Sequence, residues 1–238
     1  MTGKVAIISG ASRGMGAGLV AGYRRQGWAV VASARMIKPS GDPDLLTVAG
    51  DIADPETAER IVGGALGRFG RIDTLVNNAG AFISKPFTDY TAADYALAVG
   101  ASLTGFFWLT QRAIAEMASW YGGHVVTVSA TLAEVTDPGM PAVLAALING
   151  GLTAATRSLA VEYASLGIRV NAVAPGVIQT PVHPADGYDG FSGRLPPLGR
   201  VGQVSDVVDG VLFLESSPYI TGEILHIDGD PNRQAVGR

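Results

Sequence analysis

Ser9-Gly10-Ala11-Ser12-Arg13-Gly14-Met15-Gly16 is the stretch from which the architecture of this chain can be read. It follows Val5-Ala6-Ile7-Ile8, an apolar, β-branched run suited to a buried strand, and it opens into a helical pattern over 14–26. Glycines at such a junction let the backbone turn tightly and approach a pyrophosphate closely. The helix that follows presents free N–H groups and the positive end of its dipole to the same anion. With 32 glycines in the chain the pattern alone says little. Its place between a first strand and a first helix gives it meaning.

Outward from that turn, short Val/Ile/Ala-rich runs alternate with longer helical patterns. Strands are expected near 4–9, 28–34, 45–49, 73–77, 123–129, 168–174 and 223–227, and helices near 14–26, 55–69, 92–119, 145–166 and 203–215. In the fourth helix, Leu152, Ala155, Thr156, Leu159, Ala160 and Tyr163 recur at three- and four-residue intervals and form one stripe to bury. The expected fold is α/β, a single-domain Rossmann-type doubly wound parallel sheet of about seven strands with helices on both faces, spanning residues 1–238. Pro39, Ser40, Gly41 and Pro43 make 36–44 a loop in place of a crossover helix. The Gly/Pro-rich stretch 181–200 is a candidate substrate lid. No repeat or low-complexity segment marks a second domain.

Composition narrows the function. A chain of 238 residues, 47% hydrophobic and 16% charged, fits one domain around a buried parallel sheet. A net charge of −4 without a Lys/Arg cluster speaks against nucleic acid. With no cysteine, disulfide, thiolate and Cys-metal chemistry are closed. His124, His183 and His226 lack metal-ligand spacing, so no metal is expected. The N-terminus runs straight into a strand, and no apolar run approaches the roughly 18 residues that span a bilayer. A soluble, cytoplasmic protein is expected.

The second strand ends Ala34-Arg35, where an acidic residue would hold the adenosine ribose of NAD. Arg35 and Arg13, the latter inside the glycine turn, offer guanidinium groups suited to a 2′-phosphate, so NADP(H) is the expected cofactor. The spacing Gly-x-x-x-Gly-x-Gly resembles that of the short-chain dehydrogenase/reductase family, and the resemblance covers nearly the whole chain. Asp51-Ile52 looks like its adenine-contacting pair, and Asn77-Asn78-Ala79-Gly80 is similar to its Asn-Asn-Ala-Gly motif. Ala174-Pro175-Gly176-Val177-Ile178-Gln179-Thr180 resembles the segment that holds the nicotinamide carboxamide, and Ile224–Gly229 the final strand and turn. The resemblance thus assigns cofactor contacts to Gly10, Ser12, Arg13, Gly14, Met15, Gly16, Arg35, Asp51, Ile52, Asn78, Ala79, Gly80, Pro175, Gly176, Ile178 and Thr180. The stretch between Arg35 and Asp51 is shorter than the family's and lacks its third helix.

The catalytic positions depart from the family. Reduction of a ketone leaves an alkoxide that must be protonated, and a phenol with pKa near 10 serves only when a neighbour lowers it. The family uses a Tyr with a Lys one helical turn later, a Ser after the fifth strand and an Asn in the preceding helix. Aligned through Gly150-Gly151-Leu152, the Tyr position is Ala145 and the Lys position Asn149, and the Asn position reads Ser102. The family's Ser falls near Ala130, with Ser129 and Thr131 as neighbouring hydroxyls. Tyr-x-x-x-Lys occurs nowhere between Ser129 and Tyr163. Candidates for a replacement acid or orienting group are Ser129, Thr131, Glu134, Asp137, His183 and Tyr188. His124 and His226 read as structural. Phe82, Trp108, Tyr188 and Phe191 hint at an apolar pocket.

Three functions follow. The first is an NADP(H)-dependent oxidoreductase with a non-standard active site, acting on an iminium, enone, quinone or activated ketone that needs no Tyr acid. The second is a catalytically silent NADPH-binding subunit or sensor, and the third a non-redox isomerase or lyase. Small-residue-rich helices at 92–119 and 145–166 would leave apolar patches on a monomer, so a homodimer or homotetramer is expected.

Overall fold

Seven parallel strands form one sheet through the middle of the molecule. The computed structural model describes residues 3–134, 139–180 and 196–229. Its elements are β1 (Val5–Ser9), α1 (Gly14–Arg25), β2 (Ala29–Ala34), β3 (Leu45–Ala49), α2 (Pro55–Phe69), β4 (Thr74–Asn77), α3 (Ala92–Val99), α4 (Gly105–Ser119), β5 (Gly123–Val128), α5 (Val143–Tyr163), β6 (Ile168–Pro175), β7 (Ile178–Gln179), β8 (Gly202–Gln203), α6 (Val204–Ser216) and β9 (Ile224–Ile227). Across the sheet the strands lie in the order β3-β2-β1-β4-β5-β6-β9, which reverses between β1 and β4. Ile8 of β1 pairs with Ala32 on one side and Val76 on the other, so the crevice above their C-terminal ends is where an open α/β sheet binds ligands.

Both faces of the sheet are covered, which is why its strands are apolar without alternation. One layer, α2, α4 and α5, packs Ile61, Leu109, Ala113 and Ala160 against Ile7, Leu75 and Val125. The other, α1 and α6, packs Leu19, Tyr23, Val207 and Val211 against Ile8, Val30 and Val76. Helix α2 starts where Asp54 accepts from Glu56 N at 3.0 Å, and it stops at Gly70 in the left-handed region. Residues 35–44 form a loop, as the prolines and glycine require.

Three features differ from the sequence expectation. The helix expected over 92–119 is α3 and α4 joined by a π turn, Gly100–Thr104. Side-chain periodicity does not reveal such a turn. Its consequence is that Ser102 is buried in the cleft wall. The two-residue parallel pair β7–β8 is too short to leave a sequence signal. Third, two helical stretches, Ala92–Ser119 and Val143–Leu166, do reach the length and mean hydropathy of membrane spans, against the expectation that no run comes near. Their apolar residues are interrupted by small polar ones, so no continuous run is visible. Both stretches belong to the layer packed on the sheet.

At the end of the sheet away from the crevice sits a buried polar cluster. Glu215 Oε2 accepts from Thr74 Oγ1 at 2.8 Å, Tyr23 Oη at 3.1 Å and His124 Nδ1 at 3.1 Å. A carboxylate only accepts, so Nδ1 carries the ring proton. Nε2 then accepts from Asn171 Nδ2 at 3.1 Å and faces Arg169 Nη1 at 3.4 Å. Burial pushes the His124 pKa down, and Arg169 adds to this against the pull of Glu215. His124 is therefore a neutral structural member that ties β5 to α6 and β6.

Candidate active site

The glycine turn is held from two sides. Gly10 has φ +66°, and a Cβ on it would lie 2.8 Å from Ala79 Cα, while a Cβ on Gly16 would lie 2.1 Å from Gly10 O. Only hydrogen fits at either position. Ser9 Oγ accepts from the N–H groups of Asn78 and Ala79, both at 3.0 Å, and Asn78 Nδ2 donates to Ser9 O at 3.0 Å and Gly10 O at 3.2 Å. Helix α1 starts at Gly14 with no side-chain cap and no acidic residue in its first turn. Its first residues, Gly14, Met15 and Gly16, line the crevice, where the free N–H groups of a helix start suit an anion.

Above the strand ends lies one open cleft of about 1600 Å³, larger than a site for a single small ligand. Every residue the sequence assigned to the cofactor, from Gly10 to Thr180, lines it. Arg13 and Arg35 are exposed and line it at the β1–α1 turn and the end of β2. Neither makes an ion pair among the described residues, whereas Arg24, Arg71 and Arg200 are engaged with aspartates. Gly176 N donates to Ile227 O at 3.0 Å, which places the Pro175–Thr180 segment against β9. Thr180 in turn reaches the glycine turn, its Cβ 3.6 Å from where a Gly14 Cβ would stand. The uncapped helix start and Asn78 Oδ1, which is buried without a partner among the described residues, are features that a dinucleotide fits.

The catalytic positions face the same cleft. Ser102, Ser129, Ala130, Thr131, Ala145 and Asn149 all line it. Ala145 and Asn149 sit one turn apart on α5, and Asn149 Nδ2 donates back to Ala145 O at 2.8 Å. Thr131 Oγ1 donates to Pro175 O at 3.4 Å, and Ser129 Oγ reaches Asn149 O at 3.5 Å, the limit of a hydrogen bond. Glu134 does not line the cleft. It is exposed, and its Oε2 pairs with His226 Nε2 at 3.2 Å, so it answers a neighbouring strand instead of a substrate. Trp108 also turns away, packed edge-on to Phe107 and against the core. Phe82 does line the cleft. His183, Asp137, Tyr188, Phe191 and lid residues 181–195 lie outside the described residues, while Pro196 and Pro197 join the cleft wall.

Among the described residues, the ionisable side chains in the cleft wall are Arg13, Arg35, Asp51 and Asp228. The first three belong to the β1–β2–β3 side. Asp228, which sequence reading did not single out, stands where a Cβ on Gly176 would meet its own Cβ at 2.8 Å. Its only sequence signal is its place one residue past the last strand. Around Ala145 and Asn149 the described wall holds no group that titrates near neutrality.

Residues 10–229 match the family model described as enoyl-(acyl carrier protein) reductase. The chain is 32% identical over 247 residues to the 3-oxoacyl-[acyl-carrier-protein] reductase of Thermotoga maritima, with 96% of this chain and 98% of the relative covered. Among solved structures it resembles ElxO with NADP bound, at 26% identity and TM-score 0.86, covering 96% of this chain and 98% of that one. It is also similar to 3-ketoacyl-(acyl-carrier-protein) reductase from Brucella melitensis complexed with NADH, at 28% identity and TM-score 0.86, covering 95% and 97% of the two chains.

Proposed function

The chain belongs to the short-chain dehydrogenase/reductase family, whose members are nicotinamide-dependent oxidoreductases, and on that premise we propose that it is an NADP(H)-dependent oxidoreductase working without the Tyr–Lys pair. The observation that carries this reading is the asymmetry of the cleft. Its dinucleotide half is complete, while Ala145 and Asn149 offer neither a proton nor a charge to depress a phenol pKa.

The choice of NADP over NAD rests on Arg13 and Arg35, two exposed guanidinium groups that line the cleft and make no ion pair among the described residues. A planar, always charged fork suits a phosphate monoester. Asp51 and Ile52 bound the adenine side, and Pro175 to Thr180 the nicotinamide side. When bound, the cofactor would supply the hydride.

The protein's own part is to orient substrate and exclude water, since the hydroxyls of Ser129 and Thr131 can hydrogen-bond a carbonyl but are poor acids. Substrates suited to such a site accept a hydride and spread the resulting charge. In an enone the hydride adds to the β-carbon, the C=C electron pair moves to form an enolate, and water protonates it after release. A quinone gives a hydroquinone anion in the same way, and an iminium ion becomes a neutral amine with no proton needed. Simple ketones, which leave a localised alkoxide, are the poor substrates.

A second copy of this chain is the partner best suited to the exposed apolar faces of α4 and α5. Phe107, Leu147 and Val161 are 53%, 64% and 83% exposed there, apolar side chains that a second copy would cover. A clean monomer by light scattering would overturn that assembly. No metal and no nucleic acid enters the reading, which describes a soluble cytoplasmic enzyme.

The test is loss of reduced-nicotinamide absorbance with NADPH and a panel of enone, quinone, iminium and unactivated ketone. Turnover of activated acceptors with little on the plain ketone is expected. NADPH binding without turnover of any of them would replace this reading with that of a silent NADPH-binding subunit or sensor. Substrate conversion with no change in that absorbance would indicate an isomerase or lyase.

A further inference from the structure

The substrate half of the cleft is a wall already assembled. The segment carrying Phe82 is tied down at three points. Ser84 Oγ donates to Pro141 O at 2.9 Å, Tyr90 Oη to Ile83 O at 2.8 Å, and Lys85 Nζ to Asp94 at 2.7 Å. The first bond draws that segment against the residues leading into α5, so Phe82, Leu97, Met140 and Ala145 look into one space. Leu97 and Phe82 are 46% and 42% exposed, so apolar surface is open to the cleft mouth. Ala145 contributes only a methyl to that wall, at a position the resemblance gives to a tyrosine, so no phenol ring takes up cleft space beside Asn149.

Charge is as informative as shape. The cations close in sequence to the wall's residues, Lys85 and Arg200, do not line the cleft and are each engaged, with Asp94 and Asp206, both at 2.7 Å. Among the described residues, the ionisable liner of the cleft outside its β1–β2–β3 side is Asp228, a carboxylate by Gly176. Among the described residues an anionic substrate would meet no cation in this half and a carboxylate across it, so its desolvation is not offset by them. A cation has one carboxylate to meet, but that group lies by Gly176 at the cleft's opposite wall from Phe82 and Leu97. Among the described residues, the apolar wall of Phe82, Leu97, Met140 and Ala145 contains no charged side chain.

Resting on the cofactor reading given above, we propose that this half binds a neutral, ring-bearing carbonyl compound whose apolar body fills the space over Ala145, with Phe82, Leu97 and Met140 as its sides. The position that would carry the acid thus determines specificity through its small size. Among substrates needing no acid, enones, quinones and activated aryl ketones are favoured over iminium ions.

The test titrates three probes of one shape into NADPH-saturated protein by calorimetry: neutral 2-acetylnaphthalene, anionic 2-naphthoate and cationic 2-naphthylmethylammonium. The ketone is expected to bind at least about tenfold tighter than either ion. Ala145→Phe, which fills the space without adding an acid, is expected to weaken the ketone about tenfold or more while leaving NADPH affinity unchanged. Equal or tighter binding of the naphthoate, tighter binding of the ammonium, no binding of the ketone, or an Ala145→Phe protein that binds it as before would each overturn the inference. The wild-type comparison stands even if the variant folds poorly. NADPH affinity measured on the same samples separates the two readings. Its absence sinks the cofactor assignment and this proposal together, whereas intact NADPH binding without probe selectivity sinks only this one.

Discussion

Replacing Glu215 by alanine should be among the most damaging single changes away from the cleft. The carboxylate is nearly buried, its side chain 12% exposed, and three donors converge on Oε2 from α1, β4 and β5. Burial alone would raise its pKa, but hydrogen bonds from His124, Thr74 and Tyr23 outweigh it and hold the group below the usual carboxylate range. Hydrogen bonds to a charged acceptor contribute about 1.5–3 kcal/mol each, offset in part by desolvating the carboxylate. Truncation strands Tyr23 Oη, Thr74 Oγ1 and His124 Nδ1, so a net loss of about 3–5 kcal/mol is expected. For a domain of this size that is roughly 6–20 °C in Tm. Glu215→Gln, which keeps one acceptor, should cost less. Urea unfolding followed by far-UV circular dichroism measures both, and a loss under about 1 kcal/mol for Glu215→Ala would refute the cluster's role.

The same cluster fixes the sign of the pH dependence. His124 has a depressed pKa when folded, so the unfolded chain takes up the proton first as pH falls below about 6.5. Glu215 is also depressed, so its contribution is lost as pH falls through its folded value, below about 4.3. Both act on the acid side. The urea midpoint should decline from about pH 6.5 downward, and His124→Gln should flatten the first part of that decline.

Three further predictions concern the cleft. Arg35→Ser should raise the NADPH dissociation constant about 10–150-fold, the equivalent of about 1.5–3 kcal/mol, and leave NADH unchanged in the same fluorescence titration. Equal effects on both nucleotides would mean that Arg35 does not read the 2′-phosphate. Gly16→Ala places a Cβ 2.1 Å from a backbone oxygen, so NADPH binding should vanish while the circular dichroism spectrum is kept. Full binding by this variant would show that the turn is not the phosphate cradle. Ala145→Tyr with Asn149→Lys restores a phenol and an ammonium on one helix face. It should raise turnover of a plain ketone about 10²–10⁴-fold over the parent, with Ala145→Tyr alone doing less. No gain in a double variant that still binds NADPH would mean that the missing acid does not limit the rate.

The cofactor half was legible because its chemistry is carried by backbone: glycines at a strand-to-helix junction leave a spacing that survives in any one sequence. The sheet was legible for a related reason, since strands buried on both faces are written as continuous apolar runs. The substrate half is built differently. Its wall is held by pairings distant in sequence, Ser84 meeting Pro141 across 57 residues. No local pattern encodes such pairings. Glu134 was misplaced because a loop carboxylate near the active-site helix has no sequence mark of the direction it faces, and here His226 claims it. The π turn that buries Ser102 was hidden because one extra residue per turn leaves the apolar spacing nearly intact.

The measurement that tests the central claim most directly is a titration of NADPH and NADH into the purified protein, following nicotinamide emission. A working cleft with a vacated acid position predicts tight NADPH binding, weaker NADH binding and altered emission from a ring held by the Pro175–Thr180 segment. Absence of binding by either nucleotide would contradict it and leave the glycine turn as architecture alone.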